Sequence, residues 1–290
     1  MIDVNEIFFK ADNFYQEYEV SARGVRIGRG QNHVRVPELS VSEMMTIMIL
    51  FHQSHYRDFK AFYRGHVQRF FKNEFPKMVS YSRFVQLMPR IIFPLLAFLN
   101  FLKGRVSGLS FIDSTSIAVC KNKRISRNKV FKRLATIGKT TMGWFFGFKL
   151  HFIINDSGEI ISWAITKGHV DDRHPVPALA KTVKGKLFGD KGYSSQPLFE
   201  KLFNQGTQLI TSIRSNMKNK FMPIFDRILL RKRSIIETIN DQLKNISQIE
   251  HSRHRSPVNF LVNLIAALSA YQLKPKKPSF HFNFQQLSLF

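Results

Sequence analysis

Residues 109–119 read Leu-Ser-Phe-Ile-Asp-Ser-Thr-Ser-Ile-Ala-Val, an apolar, β-branched run interrupted in its middle by Asp113 and three hydroxyl side chains. Apolar and β-branched composition predicts a strand over 109–119. A carboxylate inside a central strand is costly to bury unless it is paired or holds a cation. Asp113 therefore has two readings, an ordinary edge or turn aspartate and a ligand.

Downstream, the pattern continues as strands and helices in alternation. Trp144 to Ile154 and Ile160 to Lys167 read as strands joined by the turn Asn155-Asp156-Ser157-Gly158, which makes them a hairpin. Pro175 to Val183 reads as a short helix and Lys186 to Gly189 as a strand. Pro197 to Asn204 follows as a helix, Gln208 to Ile213 as a strand, and Asp226 to Ile249 as one long helix. Three strands, then strand, helix, strand, helix, predict an α/β fold with a mixed sheet flanked by helices. Asp171 and Asp172 stand where they could cap the Pro175 helix, with a supporting role beside a ligand site as their second reading.

Upstream, the texture is helical. Ser40-Val41-Ser42-Glu43 has the form of a capping box before the apolar run Met44 to Phe51, and Ser80 or Ser82 marks a second start. His55, Arg57, Lys60, Arg64, His66 and Arg69 lie among aromatics here, which suits either a DNA-facing module or a solvated helical face. Lys103 to Gly108 is a polar, glycine-containing link. The expected organisation is an all-α N-terminal domain over 1–104 that binds DNA, an α/β domain over 105–273, and a basic, aromatic tail over 274–290.

Charge narrows the partner. Lys and Arg number 44 against 20 Asp and Glu, a net +24 over 290 residues. Such a surface gains affinity for nucleic acid by displacing counterions from phosphates. The segment 121–139 contributes Lys123, Arg124, Arg127, Lys129, Lys132 and Arg133, and a second cluster holds Arg253 and Arg255. The first is read as a DNA-tracking element or a disordered surface loop, the second as phosphate-contacting. The single cysteine, Cys120, excludes an internal disulfide and a multi-cysteine zinc site and fits a reducing, cytoplasmic compartment. The N-terminus lacks the basic and apolar pattern of a secretory signal. Ile91 to Leu102, interrupted by Pro94, falls short of the roughly 20 residues that cross a bilayer, so no membrane partner is expected.

Two more acids sit where ligands gather. Asp190 ends the apolar strand Leu187-Phe188-Gly189 at a glycine-flanked turn, the sheet edge at which α/β folds bind ligands; turn formation is its ordinary role. At about 100° per residue the long helix separates Ile235, Ile239, Leu243 and Ile246 from a polar stripe of Arg233, Glu237, Asp241 and Lys244, with Asn240 beside it. Such a stripe on an isolated helix is a solvated face laced with ion pairs. Packed beside the first strand, it would instead give Asp113 and Asp190 a third carboxylate, with Arg233 and Lys244 facing phosphates. Hard divalent cations take oxygen ligands, and two of them can serve the attacking and leaving oxygens of phosphoryl transfer.

The strings FIDST, LFGDKGY and RKRSIIETINDQLKNISQIEHSRHRSPVNFLVNLIAALSAY resemble the transposases of the insertion sequence 982 family, within the wider DDE group. The resemblance runs from the helix start at Leu39 to near Tyr271. It implies a ribonuclease H-like catalytic domain, a preceding helical DNA-binding region, and Asp113, Asp190 and Glu237 as the catalytic, metal-binding acids. Arg233, Glu237 and Lys244 match the last three positions of the group's tyrosine, arginine, glutamate, lysine signature, while Leu230 replaces the tyrosine. The implied activity is cleavage and strand transfer of double-stranded DNA, at the element's terminal inverted repeats and at target DNA. Mg2+ or Mn2+, two ions, would be the cofactor, and a homodimer would join the ends in a synaptic complex. The rival readings are a ribonuclease H-like nuclease or resolvase and an inactive, DNA-binding relic.

Overall fold

The computed structural model describes residues 3–25, 39–141, 143–212, 221–250 and 254–280. These form two compact units. Of the described residues, the first gathers those within 1–102, 243–249 and 254–275; the second gathers those within 103–242, residue 250 and 276–280.

The first unit is helical. Its elements include α1 (Val4–Val25), α2 (Val41–Gln53), α3 (Tyr81–Leu87) and α4 (Ile92–Phe101). The capping box forms as its sequence predicts: Glu43 N–H donates to Ser40 Oγ, and Ser40 N–H donates to a Glu43 carboxylate oxygen at 2.6 Å. Ser80 caps α3 through the Arg83 N–H. The continuous stretch Tyr81–Phe101 is, by length and composition, apolar enough to span a bilayer, and 44% of its most apolar window is buried inside the protein. Phe84, Leu87, Ile91, Leu95 and Phe98 supply that buried side. Each such side chain stabilises its unit by about 2 kcal/mol when fully buried.

The second unit carries β1 (Leu109–Cys120), β2 (Thr136–Thr140), β3 (Gly143–Asn155), β4 (Ile160–Lys167), β5 (Gly185–Gly189), α5 (Gln196–Asn204), β6 (Thr207–Thr211), α6 (Ile224–Lys232) and α7 (Ser234–Asp241). One mixed sheet runs β3-β1-β5-β6. β1, β3 and β4 pair antiparallel, and β5 and β6 add in parallel. Omitting β2, the order is third, second, first, fourth, fifth strand, with helices on both faces. This is the ribonuclease H-like arrangement that the resemblance implied.

The free edge of β3 is divided between two strands. β2 pairs with Gly143–Gly147 and β4 with Phe148–Ile154. Gly147 sits at the changeover, where a Cβ would run into the Ile117 carbonyl, so only glycine lets β1 and β3 approach there. Sequence reading left β2 inside the basic loop between the first two strands. It also ran Asp226 to Ile249 as one helix. The structure turns at Arg233 between α6 and α7, and the last stretch winds as a π-helix, Gln242–Ile246.

The chain then re-enters the first unit as α8 (Pro257–Gln272), packed on α2 and α4, with Gln272 Nε2 donating to the Leu102 carbonyl at 2.7 Å. The helix that sequence reading grouped with 105–273 thus lies in the helical unit. Its buried face, Phe260, Val262, Leu264, Ile265 and Leu268, is apolar enough to join either core.

Alternation along β1 assigns its two faces. Ile112 points into a core with Ile153, Leu187, Val176, Leu179, Leu198 and Leu202. Phe111 stacks on Phe188 at 5.4 Å on the opposite face, the face that bears Asp113. On that second face Lys186 donates to the buried Asp226 of α6 at 2.6 Å and lies 5.8 Å from the Phe225 ring. Asp226→Ala should cost about 2 kcal/mol, less than a fully buried pair because Lys186 is a third exposed. An unchanged urea midpoint would show that α6 is held by its apolar contacts alone.

Candidate active site

Asp113 and Asp190 are brought together by strand register. β1 and β5 pair in parallel through Phe111 and Phe188, and each aspartate lies two residues beyond that pair, on the same face. Neighbouring strands are about 4.8 Å apart, so the two carboxylates are adjacent. Asp190 is held by the turn that follows β5, its Oδ1 accepting from the Gly192 N–H at 2.8 Å.

Helix α7 supplies the rest. Ile235, Ile236 and Ile239 are buried, which turns Arg233, Glu237 and Asn240 along one stripe. Asn240 Nδ2 donates to Asp113 Oδ2 at 2.9 Å, fixing the helix against the strand. Arg233 donates to Glu237 at 2.7 Å, and Glu237 remains more than half exposed. Burial pushes the Asp113 carboxyl up to about 6; the Ser114 backbone N–H and the Arg233 guanidinium pull it down, while Asp190 and Glu237 push it up. The three acids and one arginine therefore share a single electrostatic neighbourhood. Among the described residues, no three His, Cys, Asp or Glu side chains stand close enough to form a ready-made metal cage.

Sequence reasoning gave Asn240 no role and put helix capping first for Asp172. Asn240 lies on the polar stripe, seven residues after Arg233, and its position there was the only sign of a role. Asp172, read with Asp171 as a helix cap, does something else: the helix Val176–Leu179 has no side-chain cap. Asp171 instead pairs with Arg173, which holds its carboxyl well below the usual range. Asp172 accepts from Lys149 at 3.0 Å and lies 3.9 Å from His151 Nδ1. His151, fully buried, is pushed down to about 4 chiefly by burial. Tyr193, from the LFGDKGY string, is also buried, and its phenol is pushed up by burial and by Asp113 and Asp172.

The basic residues divide. Lys123, Arg124, Arg127, Lys129, Lys132 and Arg133 are all exposed in the second unit. Their segment is anchored by buried Phe131, whose N–H donates to Asn128 Oδ1 and whose ring meets Phe148 at 6.0 Å. Lys244, in the π-helix, and exposed Arg255 belong to the first unit. Arg253 lies outside the described residues.

Carboxylates from within β1, from the turn just past β5 and from the facing helix form an oxygen donor set suited to a hard cation. The sequence profile of the family described as "Transposase DDE domain" matches residues 103–257, more than half of the chain. The chain belongs to the DDE transposase family. No curated protein matches this transposase by sequence. A solved structure similar to it is a piggyBac transposase synaptic complex with hairpin DNA, at 12% identity and a TM-score of 0.49, covering 92% of this chain and 72% of that one.

Proposed function

We propose that this DDE transposase is of the insertion sequence 982 type. It binds the terminal inverted repeats of its own element and cleaves and joins DNA through Asp113, Asp190 and Glu237. It acts in the cytoplasm as a homodimer that holds two element ends. The observation that carries the reading is the hydrogen bond from Asn240 of α7 to Asp113, which sets the stripe bearing Glu237 against the paired strands that place Asp113 and Asp190; burial and both other acids raise the Asp113 carboxyl there. Like charges crowded in a partly buried site are an electrostatic cost that a cation removes.

The residues fit Mg2+ or Mn2+ in kind: all three are hard oxygen donors, and Asn240 and the Gly192 N–H each orient one aspartate by occupying one of its oxygens. Bound between them, two such ions would supply charge stabilisation at the scissile phosphate and lower the cost of forming the attacking oxyanion. Glu237 has to turn from Arg233 to join the aspartates, which leaves that guanidinium available to a phosphate oxygen. The exposed cations of 121–139, with Arg255, bind the DNA backbone and fix its register without reading sequence.

The test is incubation with supercoiled DNA carrying the element ends, in Mg2+ or Mn2+ against chelator. Cleaved and joined products that need metal are expected. Cleavage without joining would make the chain a nuclease or resolvase; binding without cleavage under any condition would make it a relic.

A further inference from the structure

The segment 121–144 carries eight Lys and Arg and no Asp or Glu. It also shows large apolar side chains to solvent: Val130 is 38%, Leu134 45%, Ile137 49% and Trp144 61% exposed. Ile137 and Trp144 belong to the β2–β3 hairpin, where Lys139 is the register partner of Trp144 and holds its ammonium 5.4 Å from the indole centroid. Asn122 Nδ2 donates to the Trp144 carbonyl at 2.8 Å, so the basic turn and the indole are tied at one place.

Duplex DNA presents phosphates outward and hides its base faces in the stack. A surface that only tracks duplex needs cations and no exposed indole. Cations interleaved with aromatic and aliphatic side chains match single-stranded nucleic acid, whose bases offer flat apolar faces beside their phosphates. We infer that the β2–β3 hairpin is a platform for unpaired DNA, with Trp144 stacking on an exposed base while Lys139 and the cations of 121–133 hold its flanking phosphates. The inference rests on DNA being the substrate and adds which form of DNA this surface takes. Trp144 lies eight residues along β3 from Phe152, the register partner of Asp113. That separation is about 27 Å, so the platform handles a stretch of strand away from the acids.

The protein has two tryptophans, so a Trp163→Phe background leaves Trp144 as the sole indole reporter. In chelator, a thymidine oligonucleotide of roughly 12 nucleotides should quench this emission, and a blunt duplex of equal length should not. Trp144→Ala should weaken oligothymidine binding roughly tenfold, and Trp144→Phe should restore most of it. Equal quenching by the duplex, or unchanged oligothymidine affinity in Trp144→Ala, overturns the inference. Duplex binding with no quenching by either DNA overturns it alone, whereas failure to bind either DNA overturns the DNA reading and this inference together.

Discussion

Asp113→Asn should abolish cleavage and at the same time make the protein more stable at pH 7.5. The activity loss, about 10³-fold or more, follows from the proposed metal-binding role of Asp113, which both strands and α7 are arranged around, and is equivalent to about 4 kcal/mol of transition-state stabilisation. The stability gain follows from the carboxyl's position at about 6 against an ordinary 3.8. One unit corresponds to about 1.4 kcal/mol, so the ionised group costs the fold about 3 kcal/mol at most, and about 2 after allowing for its partial exposure. The sign is that of an acid raised by folding. Above about pH 6 the buried charge opposes folding in full. Between there and about pH 4 the folded state takes up the proton, and the cost disappears. Asparagine keeps an oxygen for Asn240 to donate to. The variant's advantage in urea midpoint should therefore be largest at pH 7.5 and fade by pH 4. An advantage that does not change with pH would place its origin in packing.

Glu237→Gln should give a comparable loss, about 10³-fold in cleavage and joining, with DNA binding unchanged within about twofold. Glutamine is nearly isosteric and can still accept from Arg233, so α7 stays in place. Only the negative charge leaves. A plasmid assay read alongside a mobility shift separates chemistry from binding, and Asp241→Asn is the control. Asp241 follows one helical turn later on the same stripe, outside the coupling that raises Asp113. Loss of cleavage in Asp241→Asn with retention in Glu237→Gln would move the third acid to 241.

The strands at 109–119, 144–154 and 160–167 were legible because each is long, apolar and β-branched or aromatic. β2 was not. Thr-Ile-Gly-Lys-Thr has one large apolar residue, and pairing with β3 makes it a strand. The turn at Arg233 was hidden because neither glycine nor proline marks it. Asp113 and Asp190 interrupt or end apolar strands and so drew notice, while Glu237, on a polar helical stripe, was singled out by the family resemblance. Their companions did not stand out, since an amide at 240 looks like solvated surface until β1, 127 residues earlier, is placed beside it. Asp172 reads first as a helix cap for the same reason: Lys149 and His151 reach it across the fold. α8 was grouped with the α/β domain by its place in the sequence, because an apolar helix carries no label for the core it joins.

The order in which the ribosome delivers these groups has a consequence. Asp113 and Asp190 lie on β1 and just past β5, elements complete well before Glu237 and Asn240 are made. A nascent chain can therefore form the sheet and expose its cations while the helix that closes the site is still missing. Unfinished or prematurely terminated chains would carry the cations of 121–139 without the helix that brings Glu237 and Asn240 to Asp113.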